Sequence, residues 1–236
     1  LGPLPRALAE EFGAALRRAL LREVRGAAVS AVCIPGTPHE FAILEGVVED
    51  VVQIVENLKM VRVSLDRLDP RRVRIDVRGS CTVTAGDLAA EPGVAVANPE
   101  QPIATVAGDG RLEMLVEIAT GTGYAPLSQA DNGRPGWIGI DRRYAPVRQV
   151  AIQVDAEGDA TFLELRVTTD GTVPVEQALA QAGAALELRA GMQEPVPALC
   201  RAVVEAACRP RQTPVDTPPP RQPRIVDLGK TRPVVP

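Results

Sequence analysis

Histidine and clustered cysteine are nearly absent from this 236-residue sequence. It contains one histidine, His39, and its four cysteines lie far apart without a Cys-x-x-Cys pair. Zinc sites are built mainly from cysteine and histidine at short, regular spacings, so the composition argues against a metal site of that kind. Dispersed cysteines also favour a reducing, cytosolic compartment over an oxidising one.

Long apolar runs are missing as well. No stretch approaches the roughly 18 successive apolar residues that a membrane-spanning helix needs. No N-terminal segment combines a charged end, an apolar block and a small-residue cleavage site, which argues against a secretory signal. The first residue is Leu1 instead of methionine, so we expect the natural start of the chain to lie upstream. These absences argue against a membrane partner.

Positive charge is in the minority, and it is unevenly placed. The chain has 26 basic and 30 acidic residues, a balance that argues against binding nucleic acid over its whole surface. Residues 193–236 carry seven basic and four acidic side chains, hence +3, which leaves −7 for the rest. The same segment holds ten of the 22 prolines. We expect residues 192–236 to be a proline-rich, disordered tail in which residues 197–208 allow a short helix.

Apolar residues recur at helical spacing in three segments, 10–25, 47–59 and 174–190. Gly26 and Gly191 follow the first and the last of them and are expected to end those helices. The apolar stripes of these two outer helices consist of Phe12, Leu16, Ala19 and Leu20, and of Val175, Ala178, Leu179, Ala182 and Leu186. Similarly striped helices that are remote in sequence often pack together, within one chain or across a twofold axis.

Between the outer helices the apolar period falls to two, which predicts strands with one wet face. The alternating segments are 61–65, 73–77, 112–118, 150–154 and 163–167. Residues 157–159, Glu-Gly-Asp, predict a turn between the last two strands. The pattern as a whole predicts an α+β protein.

No group of residues forms a recognisable active site. Gly121-Thr122-Gly123 follows a strand without opening a helix, so it predicts a structural turn and not a phosphate loop. His39-Glu40 is expected to be an ordinary loop pair, and Glu49-Asp50 a solvated pair whose members lie on different flanks of a helix. We therefore expect no catalytic residue, no metal and no cofactor in this chain, and an independent small enzyme is disfavoured.

Two adjacent arginines, Arg17 and Arg18, stand on the first apolar helix. Periodicity alone favours a solvated flank. The alternative is a partner-binding edge, because the rigid guanidinium fork suits carboxylates and carbonyls at an interface.

Seven blocks of sequence carry a resemblance to a known family. They are PLPRALAEEFGAALRRALL at 3–21, GTPHEFAILEGVVEDVVQIVENLK at 36–59, CTVTAGDL at 81–88, NPEQPIATV at 98–106, GTGYAPL at 121–127, YAPVRQV at 144–150 and TTDGTVPVEQAL at 168–179. Each block is weakly specific, but their order and separations together resemble the amino-terminal domain of the bacterial RNA polymerase alpha subunit. The resemblance covers residues 1–190.

The resemblance implies a two-domain fold. Residues 1–25 and 147–191 would form a discontinuous helix-plus-sheet dimerisation domain, and residues 26–146 an inserted β-rich domain. The outer helices of two copies would pack together across a twofold axis. The residues expected at this dimer interface are Phe12, Leu16, Leu20, Ala178, Leu179, Ala182 and Leu186.

The resemblance also implies partners and a function. The homodimer would be a non-catalytic scaffold that nucleates assembly of the beta and beta-prime subunits of DNA-directed RNA polymerase, a nucleotidyltransferase complex. Arg17, Arg18 and Leu21 would contact the beta subunit. DNA would be met only through the complex, in the cytoplasm and at the nucleoid.

Departures from the family pattern motivate an alternative. Ala7 and Ala9 stand where the family has glycines, which puts the turn before the first helix in doubt. We also expect the family's first strand and its carboxy-terminal DNA-binding domain to be missing from this sequence. The alternative is a divergent dimeric paralogue that regulates polymerase assembly instead of forming the productive core.

Overall fold

The computed structural model describes residues 4–37, 40–128, 134–157, 160–189 and 196–208. Within these ranges the helices are α1 (Arg6–Arg22), α2 (Val51–Lys59), α3 (Val175–Arg189), α4 (Val196–Cys208) and a short 3-10 helix (Ala85–Ala90). The strands are β1 (Arg25–Cys33), β2 (Val63–Leu65), β3 (Arg71–Arg78), β4 (Cys81–Thr84), β5 (Val94–Val96), β6 (Pro102–Val106), β7 (Arg111–Thr122), β8 (Tyr124–Ala125), β9 (Ile138–Gly139), β10 (Arg142–Arg143), β11 (Val147–Glu157) and β12 (Ala160–Thr169). Helices and antiparallel sheets are mixed, which confirms the predicted α+β class.

Helix α1 begins four residues earlier than the sequence pattern predicted. Ala7 and Ala9 lie inside the helix, and Ala9 donates its N–H to the carbonyl of Pro5. Alanine favours the helix by about 1 kcal/mol over glycine, so the segment continues the helix where glycines would have favoured a turn. Arg6 and Glu10, one turn apart, add an exposed ion pair.

The end of α1 corrects a second expectation. Gly26 does not end the helix, because it lies in strand β1. Its hydrogen atoms face the carbonyl oxygen of Tyr144, which a Cβ at this position would overlap. Gly121 lies in the strand beside it, and a Cβ there would overlap the Tyr144 ring. Both glycines therefore let the backbone and ring of Tyr144 lie close to the sheet.

Helix α2 is shorter than predicted because a capping box fixes its start. The carboxylate of Asp50 accepts the N–H of Gln53, and the Gln53 side chain accepts the N–H of Asp50. Glu49 accepts the N–H and the hydroxyl of Thr105 at 2.6 and 3.0 Å. The expectation that Glu49 and Asp50 form a solvated pair is therefore wrong.

The largest sheet is antiparallel and has the strand order β3-β7-β1-β9. In β3 and β7 the apolar residues alternate with charged ones, so one face packs inward and the other carries ion pairs. Glu117 on the charged face is bound by Arg72 and, through two hydrogen bonds, by Arg134, and both guanidinium groups lie over the Trp137 ring. The predicted alternation of β3 and β7 is thus confirmed.

The inner face of this sheet closes over the first of two hydrophobic cores. Helix α2 and the strand pairs β2-β5 and β4-β6 cover it. This first core consists of valine, isoleucine, leucine and methionine apart from two alanines, and Ile54, Ile103 and Ile118 in it are completely buried. It belongs to the inner region of the chain, between β1 and Ile140.

The second core belongs to the outer region, which the two ends of the described chain build together. Strands β11 and β12 pair as an antiparallel hairpin, whose predicted turn at 157–159 lies partly outside the described residues. Helix α1 packs on the apolar face of this hairpin, with Gly13 against Ile152 and Leu163. Helix α3 lies beside α1, and α4 packs against α3.

The helix allowed at residues 197–208 is present as α4. The predicted end of α3 at Gly191 and the residues after Cys208 lie outside the described part of the chain. None of the helices in the described ranges is long and apolar enough to cross a membrane.

Candidate functional site

A cleft of about 1100 Å³ opens where the inner and outer regions meet. The C-terminal end of α1, the end of α2, the turn between β7 and β8, and the start of β11 form its walls. Its lining residues are Leu21, Arg22, Lys59, Met60, Arg62, Thr122, Gly123, Tyr124, Asp141, Arg143, Ala145, Val147 and Arg148. Five of them are basic and one is acidic, so the cleft is strongly positive.

One charged cluster ties the walls of the cleft together. Lys59 Nζ lies 2.7 Å from Asp141 Oδ1 and 2.7 Å from Glu56 Oε1. The Tyr124 hydroxyl donates to Asp141 Oδ2 at 3.2 Å. The bond from Lys59 holds the pKa of Asp141 below its usual value, and the bonds to Asp141 and Glu56 raise the pKa of Lys59. Asp141 is therefore ionised at neutral pH and is held in an ion pair with Lys59.

Three other arginines leave their charge available to a partner. The guanidinium groups of Arg22, Arg62 and Arg143 have no hydrogen-bond or ion-pair partner within the described ranges. Arg148 is by contrast paired with Asp170 at 3.0 Å, and the Asp170 carboxylate also accepts the hydroxyl of Thr172. The open charges suit carboxylates or carbonyl groups of a protein surface.

The rim of the cleft adds apolar surface to this charge. Met60 and Tyr124 are 61% and 62% exposed, and Leu21 is half-buried. An exposed thioether and an exposed ring beside arginines are typical of a protein–protein contact. The described residues contain no cluster of histidine, cysteine and carboxylates that could hold a metal ion. The exposed apolar rim beside open arginines therefore favours docking of another protein.

The structure places the expected beta-subunit contacts next to this cleft. Leu21 lines it, while Arg17 and Arg18 are exposed on α1. Residues 17, 18 and 21 are neighbours on the helix surface because they are three and four positions apart. They form one continuous edge with Arg22, so the helix geometry joins the three residues to the cleft.

The residues expected at a dimer interface are mostly covered by their own chain. Six of the seven are buried in the second core, and the last is half-buried: Phe12, Leu16, Leu20, Ala178, Leu179, Ala182 and Leu186. The stripe of α1 packs on its own β11-β12 hairpin. The assignment of these residues to an interface stays a prediction.

The sequence also singled out Gly123 and His39. Gly123 adopts a positive φ of 62° in the turn between β7 and β8, as predicted for a structural turn. His39 lies outside the described residues.

Sequence reasoning missed the cleft residues Lys59, Tyr124 and Asp141. A signal for Lys59 existed, since it is the only lysine before Lys230, but base composition explained it equally well. Asp141 and Tyr124 gave no comparable signal, because only the fold brings them to Lys59.

The comparisons with known proteins agree with one another. Residues 32–145 match the family model described as the RNA polymerase Rpb3/RpoA insert domain. The chain is 38% identical over 187 residues to the DNA-directed RNA polymerase subunit alpha of Alkaliphilus metalliredigens (strain QYMF), which covers 76% of this chain and 59% of the relative. It is 40% identical over 187 residues to the subunit of the same name from Nitratidesulfovibrio vulgaris (strain DP4), which covers 75% and 53%. The chain thus spans a little more than half the length of these relatives.

Proposed function

The chain belongs to the family of bacterial RNA polymerase alpha subunits through their amino-terminal domain, and we propose that it is a non-catalytic scaffold subunit of a DNA-directed RNA polymerase. In this proposal it pairs with a second copy and recruits the beta and beta-prime subunits. It does so in the cytoplasm and contacts DNA only through the assembled complex.

The similarity to alpha subunits is the observation that carries this proposal. It extends over 187 residues at 38–40% identity, well beyond the 114 residues of the matched insert domain. The match therefore takes in parts of the outer region as well as the inner one. A scaffold role also suits a cleft in which Asp141, the acidic residue of its described lining, is ion-paired with Lys59.

The exposed edge of α1 and the positive cleft support docking of a large subunit. One continuous edge of α1 contains Arg17, Arg18, Leu21 and Arg22. This surface combines open positive charge with the apolar rim of the cleft. A partner with a carboxylate beside an apolar side chain would complement it. We assign this surface to the beta subunit.

The neighbouring outer helices support pairing with a second copy. Helices α1 and α3 lie side by side in the outer region, and their junction is held by an ion pair between Arg189 and Glu23. Gln181 on α3 also accepts the N–H of Arg25. Two helices fixed in this way offer a rigid platform for a twofold contact.

Co-purification tests the proposal. The tagged chain, expressed beside its natural beta and beta-prime subunits, is expected to retain both. Arg18→Ala should weaken capture of the beta subunit about tenfold, which is typical of losing one interface arginine, and leave self-association unchanged. Arg67→Ala is the matched control, since Arg67 is exposed on the inner region away from the cleft. Wild-type chain that retains neither large subunit would refute the proposal.

The same preparation separates the alternative function. Complexes that hold both large subunits and transcribe a promoterless template are expected from a productive scaffold. Complexes that hold them and never transcribe would instead identify a regulator of polymerase assembly.

A further inference from the structure

Helix α4 packs against α3 of the same chain and completes the second core. Leu199, Cys200 and Val203 of α4 are all buried there. A Cβ on Gly183 of α3 would lie 3.2 Å from the Cβ of Cys200, so the missing side chain lets the two helices approach closely. Burial also raises the pKa of the Cys200 thiol, as expected for a sealed contact.

The face of α3 that α4 covers includes expected dimer contacts. Leu179, Gly183 and Leu186 are spaced by four and three residues, so they share one face of the helix. Leu179 and Leu186 were both expected to meet a second copy, and Gly183 is the residue that Cys200 touches. The same face of α3 is therefore covered by α4 in the single chain and is also the face expected to contact a second copy.

Helix α1 offers a second copy no comparable apolar face. Its apolar stripe lies on the β11-β12 hairpin, and its outward side carries the exposed Arg17 and Arg18. The covered face of α3 accepts a helix of small and aliphatic residues, since that is what α4 presents there. The same face of α3 in a second copy has this character too, with Leu179, Gly183 and Leu186 along it.

We propose that α4 is an intramolecular substitute for the second copy: it covers the pairing face of α3 in the single chain and must leave that face before two copies pair. This inference rests on the pairing in the proposed function. Only chains in which α4 has left α3 can pair. The apparent affinity of self-association is therefore reduced in proportion to the fraction of chains in which α4 is displaced.

A disulfide lock tests the inference in the full chain. Gly183→Cys places a thiol beside Cys200, with a Cβ–Cβ separation of 3.2 Å against about 3.5 Å at the short end for natural disulfides. Cys208→Ser is added because Cys208 is exposed and could cross-link two chains. Oxidised glutathione would take up the two electrons and two protons that the thiols lose.

The locked chain is expected to self-associate at least about tenfold more weakly than the same variant after reduction, by sedimentation velocity. Gly183→Ala in the Cys208→Ser background is the matched control, since it adds the same Cβ and cannot cross-link. Its association should not respond to the oxidant. Locked chains that pair as well as reduced ones would overturn the inference.

The opposite change releases α4 from α3. Val203→Glu introduces a charge on the buried side of α4 and should release the helix, because an unpaired carboxylate is costly in an apolar contact. The dissociation constant of self-association should fall about tenfold or more. Ala206→Glu adds the same charge on the exposed side and should change nothing. A Val203→Glu chain that associates no better than the Ala206→Glu chain would also overturn the inference.

These outcomes are separable from failure of the proposed function. Capture of the large subunits by wild-type chain tests the scaffold role. The disulfide-locked chain and the Val203→Glu chain test only the role of α4. A chain that captures both large subunits, yet pairs equally with α4 locked or released, would preserve the scaffold and remove the inference.

Discussion

The inner and outer regions of this chain solve the same packing problem in different ways. The inner region encloses large aliphatic side chains between a four-stranded sheet, α2 and smaller strand pairs, and several of them have no exposed surface at all. The outer region packs helices on one hairpin and on one another, and small residues such as Gly13, Ala178, Ala182 and Gly183 stand there among large buried ones such as Leu16 and Leu20.

The difference teaches where stability and where binding reside. Large buried side chains contribute most of the favourable free energy of folding, because this contribution is proportional to the apolar area removed from water. Small residues contribute less burial but allow helices to approach closely and to change partners. We therefore expect the inner region to hold the molecule together and the outer region to carry its contacts with other proteins.

The largest effect should come from the inner core. Ile118→Ala removes a fully buried side chain between β1 and β3, so the free energy of unfolding should fall by about 2–5 kcal/mol. Ile43→Ala, at a side chain 85% exposed in the same region, should change it by less than about 0.5 kcal/mol. Urea denaturation followed by circular dichroism measures both. Equal effects would contradict the placement of Ile118 in the inner core.

A second substitution tests whether the two regions unfold as one. Gly26→Ala would force a Cβ onto the carbonyl of Tyr144 at the junction, and overpacking of this kind costs about 1–3 kcal/mol. Gly86→Ala is the control, because its new Cβ would lie no closer than 3.3 Å to any neighbour. Hydrogen exchange should show faster opening on both sides of the junction in Gly26→Ala alone. Opening confined to one region would show that the regions unfold separately.

Acid should weaken the inner region through Glu117. Burial raises the pKa of this carboxyl, but the hydrogen bonds from Arg134 and Arg72 outweigh it and hold the pKa below the usual 4.5. A depressed carboxyl pKa stabilises the fold above the unfolded value and loses that contribution as the pH falls through the folded value. Denaturation midpoints of wild type and Glu117→Gln should therefore differ at pH 7, and the difference should shrink as the pH falls below the usual 4.5.

Glu164 in the outer region provides the contrast to Glu117. Its pair with Arg166 is largely exposed, so Glu164→Gln should leave the acid limb of the stability curve unchanged. An acid response in Glu164→Gln as large as in Glu117→Gln would contradict the comparison.

The smallest effect is expected at the start of α1. The pair of Arg6 and Glu10 is solvated on both sides, so Glu10→Gln should not shift the melting temperature beyond measurement error. A clear shift would mean that the first turn of α1, where Ala7 and Ala9 extend the helix, is more important to the outer region than its exposure indicates.

Much of the fold could be predicted because periodicity reports which face of each element is buried. The alternation in β3 and β7 and the stripes of α1 and α3 are local patterns, and the structure shows those faces inward. Boundaries were less predictable, because a capping box at Asp50 and a strand at Arg25 depend on neighbours in three dimensions.

The candidate site was predicted only in its part on α1. Arg17, Arg18 and Leu21 lie within one turn, so their spacing alone placed them together. Lys59, Tyr124 and Asp141 come from three separate segments, and nothing local relates them. Their meeting depends on how α2 and two strand ends pack at the junction.

The amino-acid sequence by itself determined the α+β class, the buried faces and the family, because burial periodicity and ordered motifs are written along the chain. The tertiary structure alone decided that the stripe of α1 is covered by its own hairpin, that α4 lies on α3, and that a positive cleft joins the two regions. A stripe of apolar residues predicts which face of a helix is buried. Which surface covers it is settled by the competition among all surfaces that the folded chain brings within reach.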